Sequence, residues 1–380
     1  MVLFSLVLAI ASLTGAVAQV CTGNETLHGY SRYEISSQDQ LDALAEECTV
    51  LEHVRVQIMD NYTGAFNMHG ITNLTGTIEM DRHEPEHNPS SFEFPDLVHA
   101  TDFFFYELPS ATRFSAPKLE YVEGLTIVTT TPETVEFEFP ALKNATRIMV
   151  QGNLTSVSFP VLESVHGRLQ ICNVQHCGTR DSRTNITMDV SLPMLRQAAE
   201  VDVEGNLSSL AVPELASADH SLNVRNGGGS GRLTVFGFSG TAARFPELAV
   251  TSSVWLQGNI TSLSLPALRA LNSTFWFDNQ ANEPIAIKLS LENVSEINFQ
   301  GAIDSVALPN LYNFRRMTVR SSESGFDCER FVDAVLDNAH ASIQAKEGSN
   351  VYCTSGAGAM RGLGLVTVGI AAMVSLAGFL

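Results

Sequence analysis

Short stretches of alternating apolar residues recur along this chain, and most are followed by one string, apolar-Pro-x-Leu. The prolines of that string are Pro95, Pro117, Pro140, Pro160, Pro193, Pro213, Pro246, Pro266 and Pro309, nine of the 14 in the chain. Most steps between them are 20 to 23 residues and two are 33. Alternation with a period of two marks strands with one buried face. A unit in the twenties is too short to enclose a core of its own, so it must bury its apolar face on its neighbours. The pattern therefore predicts an all-β solenoid of stacked coils.

A longer repeat overlies the short one. Ile148 to Pro160, Val201 to Pro213, Val254 to Pro266 and Ile297 to Pro309 share one frame, with Gly-Asn-Leu/Ile-Thr/Ser-Ser in the first three. The first three start 53 residues apart and the last follows after 43. In Val254-Trp255-Leu256 the aliphatic residues face the core and Trp255 faces out, because neighbours on a strand point to opposite faces. The frame places Phe104, Thr126, Met149, Gln170, Asp202, Asn223, Trp255, Trp276, Asn298 and Thr318 in one outward column. It implies about ten coils and a sheet roughly 45 Å long.

Solenoid ends need covers. Ser36 to Cys48 reads as an amphipathic helix with a Ser N-cap (cap region 37–48), and Cys328 to about His340 as a second helix. The six cysteines are spaced for local pairs, Cys21 with Cys48, Cys172 with Cys177 and Cys328 with Cys353, among fifteen possible connectivities. Two of these pairs adjoin the expected caps.

Both ends of the chain read as targeting signals. Residues 1–18 form an apolar run closing on Ala16-Val17-Ala18, the pattern of a signal peptide. After Cys353 come small residues, a short spacer and an uncharged apolar tail from Leu363 to Leu380. That is the pattern of a GPI-anchor signal, with Ser355 or Gly356 as anchor residue and 356–380 removed; a plain C-terminal anchor helix is the alternative. The mature solenoid is then 19–355, on the outer face of the plasma membrane or in the wall beyond it.

Asn-x-Ser/Thr sequons occur at Asn24, Asn61, Asn73, Asn144, Asn153, Asn185, Asn206, Asn259, Asn272 and Asn293. Composition would supply roughly four by chance. The excess points to a secreted glycoprotein with oxidised cysteines. Asn153, Asn206 and Asn259 share one repeat position. They serve either as surface glycan sites or as an internal asparagine ladder bonding turn backbones, and the glycan sites are the favoured reading.

Composition narrows function chiefly by exclusion. The 380 residues carry 41 acidic and 22 basic side chains, a net charge of −19, which excludes a phosphate-backbone binder and so a nucleic-acid partner. His83-Glu84-Pro85-Glu86-His87 matches the zinc-protease string, but Pro85 breaks the helix that would put both histidines on one metal. No metal site or cofactor is expected. Glu200, Asp202 and Glu204 point outward from one strand, with Gln170, Asn223 and Arg225 beside them, and read as a solvated acidic face rather than a catalytic set. Gly227-Gly-Gly-Ser-Gly231 lacks the Lys-Ser/Thr of a phosphate loop and reads as a flexible insertion. With the Cys172–Cys177 segment and Asp278 to Glu283, it is expected to form one rim of the solenoid. Trp255 and Trp276, the only two tryptophans, form a candidate binding face for sugar rings or a protein partner.

The opening cysteine, Ile35-Ser-Ser-x-x-x-Leu-Asp-x-Leu44, Cys48 and the Gly-Asn-Leu-Thr-Ser-Leu-x-x-Pro-x-Leu repeats together resemble the fungal GPI-anchored cell-wall organisation and sporulation-specific wall proteins. The likeness covers roughly residues 21 to 353. It implies a right-handed parallel β-helix like the leucine-rich receptor L domain, capped by short helices. It also implies a non-catalytic role in cell-wall organisation and integrity, with wall polysaccharide or surface glycoproteins as partners. The other classes weighed are a carbohydrate-active β-helix enzyme and a receptor-like module for a protein ligand.

Overall fold

The computed structural model describes residues 19–22, 31–80, 89–173, 186–218, 232–341, 350–356 and 360–364. The expected signal peptide, Asn24, Asn185, Cys177, the His83–His87 string, Asn223, Arg225 and the Gly227–Gly231 run lie outside them.

The chain forms a parallel β-solenoid of about 11 turns. Each turn contributes one long strand to a continuous parallel sheet, among them Val50–Ile58, Tyr121–Thr129, Ser164–Cys172, Ser253–Ser264 and Asn313–Ser321. Shorter strands such as Phe-centred Ala65–Asn67, Ser91–Glu93, Arg113–Ser115 and Glu136–Glu138 form a second side. The alternation read from the sequence is the cause. Leu125 and Ile127, Ile148 and Val150, and Leu169 and Ile171 are buried in register on successive turns. On the second side Phe92, Phe114 and Phe137 stack almost parallel, with centroids 5.1 and 5.5 Å apart. Phe92 and Phe114 are fully buried, each contributing about 1.5–3 kcal/mol, and Phe137 is partly buried.

The sheet is longer than the sequence indicated. Ser31–Ile35, Val50–Ile58 and Asn73–Met80 join it ahead of Phe104, and Asn350–Thr354 joins it after Thr318. The outward column therefore runs in register from Glu34 to Tyr352, thirteen steps or ~62 Å. One position needs correction. Thr234, not Asn223, stands between Asp202 and Trp255. The segment between these coils is an insertion, and counting forward from the preceding Pro-x-Leu placed the strand too early.

Helix α1 (Gln38–Glu47) covers the first turns with Leu41 and Leu44, and Cys21 is bonded to Cys48 at its end. Ser37 is its N-cap but makes no side-chain capping bond. Instead Gln40 Oε1 accepts from the backbone N–H and hydroxyl of Ser36 at 2.8 and 3.0 Å. Helix α2 (Cys328–Ala341) closes the other end, and Cys328 is bonded to Cys353 on the last parallel strand. Cys172 is disulfide-bonded too. Ser355 and Gly356 follow the last parallel strand, and Met360–Gly364 pairs antiparallel with Asn350–Thr354. Among the described residues no helix is long and apolar enough to cross a membrane.

The 53-residue repeat has a physical basis at one corner of the coil. Successive turns place Thr129, Gly152, Asn173 and Gly205 there, and later Gly258, Asn279, Gly301 and Ser321. The glycines have φ of +153° (Gly152), +146° (Gly205), +135° (Gly258) and +99° (Gly301), a region that favours glycine. A Cβ on Gly205 would overlap Asn173 Oδ1, and one on Gly152 would overlap Thr129 Oγ1. Within each of these two runs, turns with a polar side chain thus alternate with glycine turns, so one repeat is two turns; between the runs, the strand Arg232–Arg244 places Phe238 rather than a polar residue in register with Gly258.

Candidate functional site

The outward side of the long sheet gathers the residues with functional potential. Three columns run along it, because parallel register carries each position to its counterpart on the next turn. The central one holds Glu79, Phe104, Thr126, Met149, Gln170, Asp202, Trp255, Trp276, Asn298, Thr318 and Tyr352.

Trp255 and Trp276 are register partners, and their rings stack with centroids 5.6 Å apart and planes 29° off parallel. Trp255 is half-buried, whereas Trp276 is 7% exposed. The expectation of two open platforms needs revision. Much of the indole pair's surface is spent on packing turn against turn, and Trp255 keeps the accessible part. Beside them Gln257 Nε2 donates to Asp278 Oδ2 at 3.1 Å. Asn298 Oδ1 is buried without a hydrogen-bond partner. Tyr352, 42% exposed, stands at the end of the same column.

A second aromatic group lies toward the other end. Phe104 and Tyr106 rings are 4.9 Å apart, and Tyr106 Oη donates to Met149 Sδ at 3.4 Å. Tyr106 was not picked out from the sequence, although the alternation of Asp102-Phe-Phe-Phe-Tyr106 puts it on the same face as Phe104.

The acidic strand is tied down by a neighbour. Arg168, register partner of Glu200, bonds Asp202 Oδ2 through Nε at 2.7 Å and Nη2 at 2.5 Å, and lies 3.5 Å from Glu200. Asp202 is 6% exposed and Glu204 is buried as well. Gln170 and Thr234 flank Asp202 in register, so no carboxylate faces it from the adjacent turns. A glycosidase needs two carboxyls with room for a sugar between them. Here the most buried one is the counter-ion of an arginine. Arg147 likewise reaches Asp102 at 3.8 Å, across Gly124, which lies between them in register. Burial first, and then the Glu123 charge, raise the Asp102 carboxyl above its usual range, and Arg147 opposes them.

Of the three segments expected to form a rim, only Asp278 to Glu283 lies wholly among the described residues. Asp278 and Asn279 end a long strand and a short irregular connection follows, held by Asn279, whose Oδ1 accepts from the N–H groups of Ile260 and Ala281 at 3.1 and 3.2 Å. Among the described residues no group of three His, Cys, Asp or Glu side chains is placed to hold a metal.

The eight sequon asparagines that are described all lie at the two corners bounding this face. Asn73, Asn144, Asn272 and Asn293 are at or near the starts of long strands, Asn61 and Asn153 lie beyond strand ends, and Asn206 and Asn259 follow the corner glycines Gly205 and Gly258 within Gln197–Ala211 and Ser253–Ser264. Asn153 Nδ2 donates to Pro132 O at 2.5 Å on the preceding turn, while the more buried asparagine bonds to turn backbones are made by other residues. Asn173 donates to Ile186 O and accepts from Asn206 N, and Asn279, 1% exposed, donates to Ala302 O. Asn259 is exposed, and Asn153 and Asn206 are half-buried.

In comparisons with known proteins, the chain is 25% identical over 326 residues to the protein ecm33 of Aspergillus fumigatus, covering 80% of this chain and 76% of that one. No family model matches, and no solved structure matches.

Proposed function

We propose that this chain is a secreted fungal surface glycoprotein that supports cell-wall organisation as a non-catalytic solenoid, held at the cell surface by a GPI anchor at Ser355 or Gly356. The observation that carries the proposal is the similarity to ecm33, which runs through 326 residues rather than one motif. It fits the resemblance to wall-organisation proteins drawn from the caps and repeats. The sequon excess, the two stapled caps and the apolar chain ends support passage through the secretory route.

The working surface in this proposal is the long sheet, bounded by sequon corners and bearing Trp255 and Tyr352. Its ligands are wall polysaccharide or surface glycoproteins. A carbohydrate-active enzyme draws no support from Asp202, whose charge is engaged by Arg168. The test is a binding screen of the purified protein on wall glucan, chitin and mannan, with Trp255→Ala as control. Saturable binding to one polymer, weakened in the variant, supports a polysaccharide ligand. Silence on every polymer with specific capture of a surface protein transfers the role to a protein partner. Release of soluble reducing sugar from any polymer overturns the non-catalytic reading.

A further inference from the structure

One outward column has no part in the long face. It runs along the corner where the long strands begin and includes Asn73, His99, Tyr121, Asn144, Ser164, Ala270, Asn293 and Asn313 in register. The residues that follow four of these, Leu74, Val122, Ala145 and Val294, are buried, so the column itself points to solvent. Three sequon asparagines stand on it, and each has an aromatic ring on an adjoining turn. Asn73 is paired with His99 and Asn144 with Tyr121, both as register partners. Asn293 Nδ2 donates to Tyr312 Oη at 3.0 Å. Tyr121 and Tyr312 are 36% and 39% exposed, among the most exposed large apolar side chains described.

We propose that these rings are docking sites for the first N-acetylglucosamine of the glycans on Asn144 and Asn293, with His99 playing the lesser part at Asn73. This rests on the proposal that the chain is a secreted glycoprotein. Register partners on parallel strands lie about 4.8 Å apart and point the same way, which is the reach of a sugar on a neighbour's amide. The pyranose ring offers axial C–H bonds on one face, and an aromatic ring offers a negative face to receive them. At Asn144 the amide is already oriented. Its Oδ1 accepts from Ser164 Oγ at 2.7 Å on the following turn, which turns Nδ2 toward the preceding turn, where Tyr121 stands. At Asn293 the nitrogen faces the tyrosine directly, and after glycosylation it keeps one N–H to donate. The surface aromatics then have a reason to be exposed in the unglycosylated chain, since the sugar is what covers them. A glycan fixed in this way lies along the corner and adds a turn-to-turn contact.

The experiment expresses the full chain in a glycosylating fungal host and maps occupancy by mass spectrometry. Thermal midpoints are then compared for wild type, Tyr121→Ala, Thr146→Val and the double variant. Thr146→Val abolishes the sequon while leaving Asn144 and its bond to Ser164 in place. The expected result is that Tyr121→Ala lowers the midpoint by roughly 1–2 °C more when Asn144 is glycosylated than when it is not. Trimming to a single N-acetylglucosamine should preserve that difference, and Tyr121→Phe should retain it. Equal shifts with and without the glycan, at confirmed occupancy, overturn the docking alone. Bare Asn144 and Asn293 in the secreted protein overturn both the docking and the glycoprotein reading beneath it.

Discussion

Asn173 Oδ1 occupies the space that a side chain on Gly205 would need, and from there it accepts the backbone N–H of Asn206 at 3.1 Å. The glycine and the asparagine are one device spread over two turns. Gly205→Ala should cost about 2–4 kcal/mol, from positive-φ strain and overlap with the asparagine. Asn173→Ala should cost about 1–3 kcal/mol by stranding buried backbone groups. Because both act on the same space, the double variant should be less destabilised than the sum. Denaturant unfolding of the four proteins measures the coupling, and strict additivity would contradict it.

The stacked tryptophans should be unequal. Trp276→Ala empties a buried site and should lower stability by about 3–4 kcal/mol. Trp255→Ala removes a half-exposed ring and should cost about 1–2 kcal/mol, while having the larger effect on any ligand binding. Unfolding curves paired with a binding assay separate the two. The assignment fails if Trp276→Ala is the milder change in unfolding.

Asp202→Asn should leave wall-polymer hydrolysis at the level of the assay blank, as in the unchanged protein. It should also destabilise by about 1–2 kcal/mol, since Arg168 loses a charge-assisted partner. Arg168→Met should cost more, because it strands the less exposed member of the pair. A hydrolytic activity removed by Asp202→Asn would instead make that carboxyl catalytic.

Acid sensitivity has a determinable sign at three carboxyls. The Lys118 side-chain hydrogen bond, then the Gly70 N–H, lower Asp96, and the Ser208 and Ser209 hydroxyls lower Asp189. A carboxyl lowered in the folded state stabilises above its unfolded pKa, and that contribution is lost as pH falls through the folded value. Asp96→Asn and Asp189→Asn should therefore flatten the loss of stability below about pH 4. Asp102 is raised, so the folded chain holds its proton more tightly and stability falls as pH climbs past the unfolded value. Asp102→Asn should steepen the rise of stability as pH climbs above about 4, the unfolded value. Urea midpoints across pH 3 to 6 distinguish the three.

The solenoid was legible from the sequence because burial imposes a period of two within strands and Pro-x-Leu marks one corner of most turns. The outward column followed from the same frame, and Phe104, Thr126, Met149, Gln170, Asp202, Trp255, Trp276, Asn298 and Thr318 stand in it. Asn223 did not, since an insertion between two corners carries no periodic signal to count through. The burial of Trp276 was illegible for a related reason. Alternation says which way a side chain points, and not what lies beside it. Arg168 escaped notice because its partner is 34 residues away, on the next turn, where only register brings them together.

The alternating corner also constrains how such a chain can change in length. Removing one turn would set glycine against glycine, leaving a void, or asparagine against asparagine, with two side chains competing for one space. Removing two turns, as in excising residues 153–205, joins Gly152 to Asn206 and restores the order of partners. Within the runs Thr129 to Gly205 and Gly258 to Ser321, growth and shrinkage, in evolution or by engineering, should therefore proceed by even numbers of turns, like a lattice whose unit cell holds two layers.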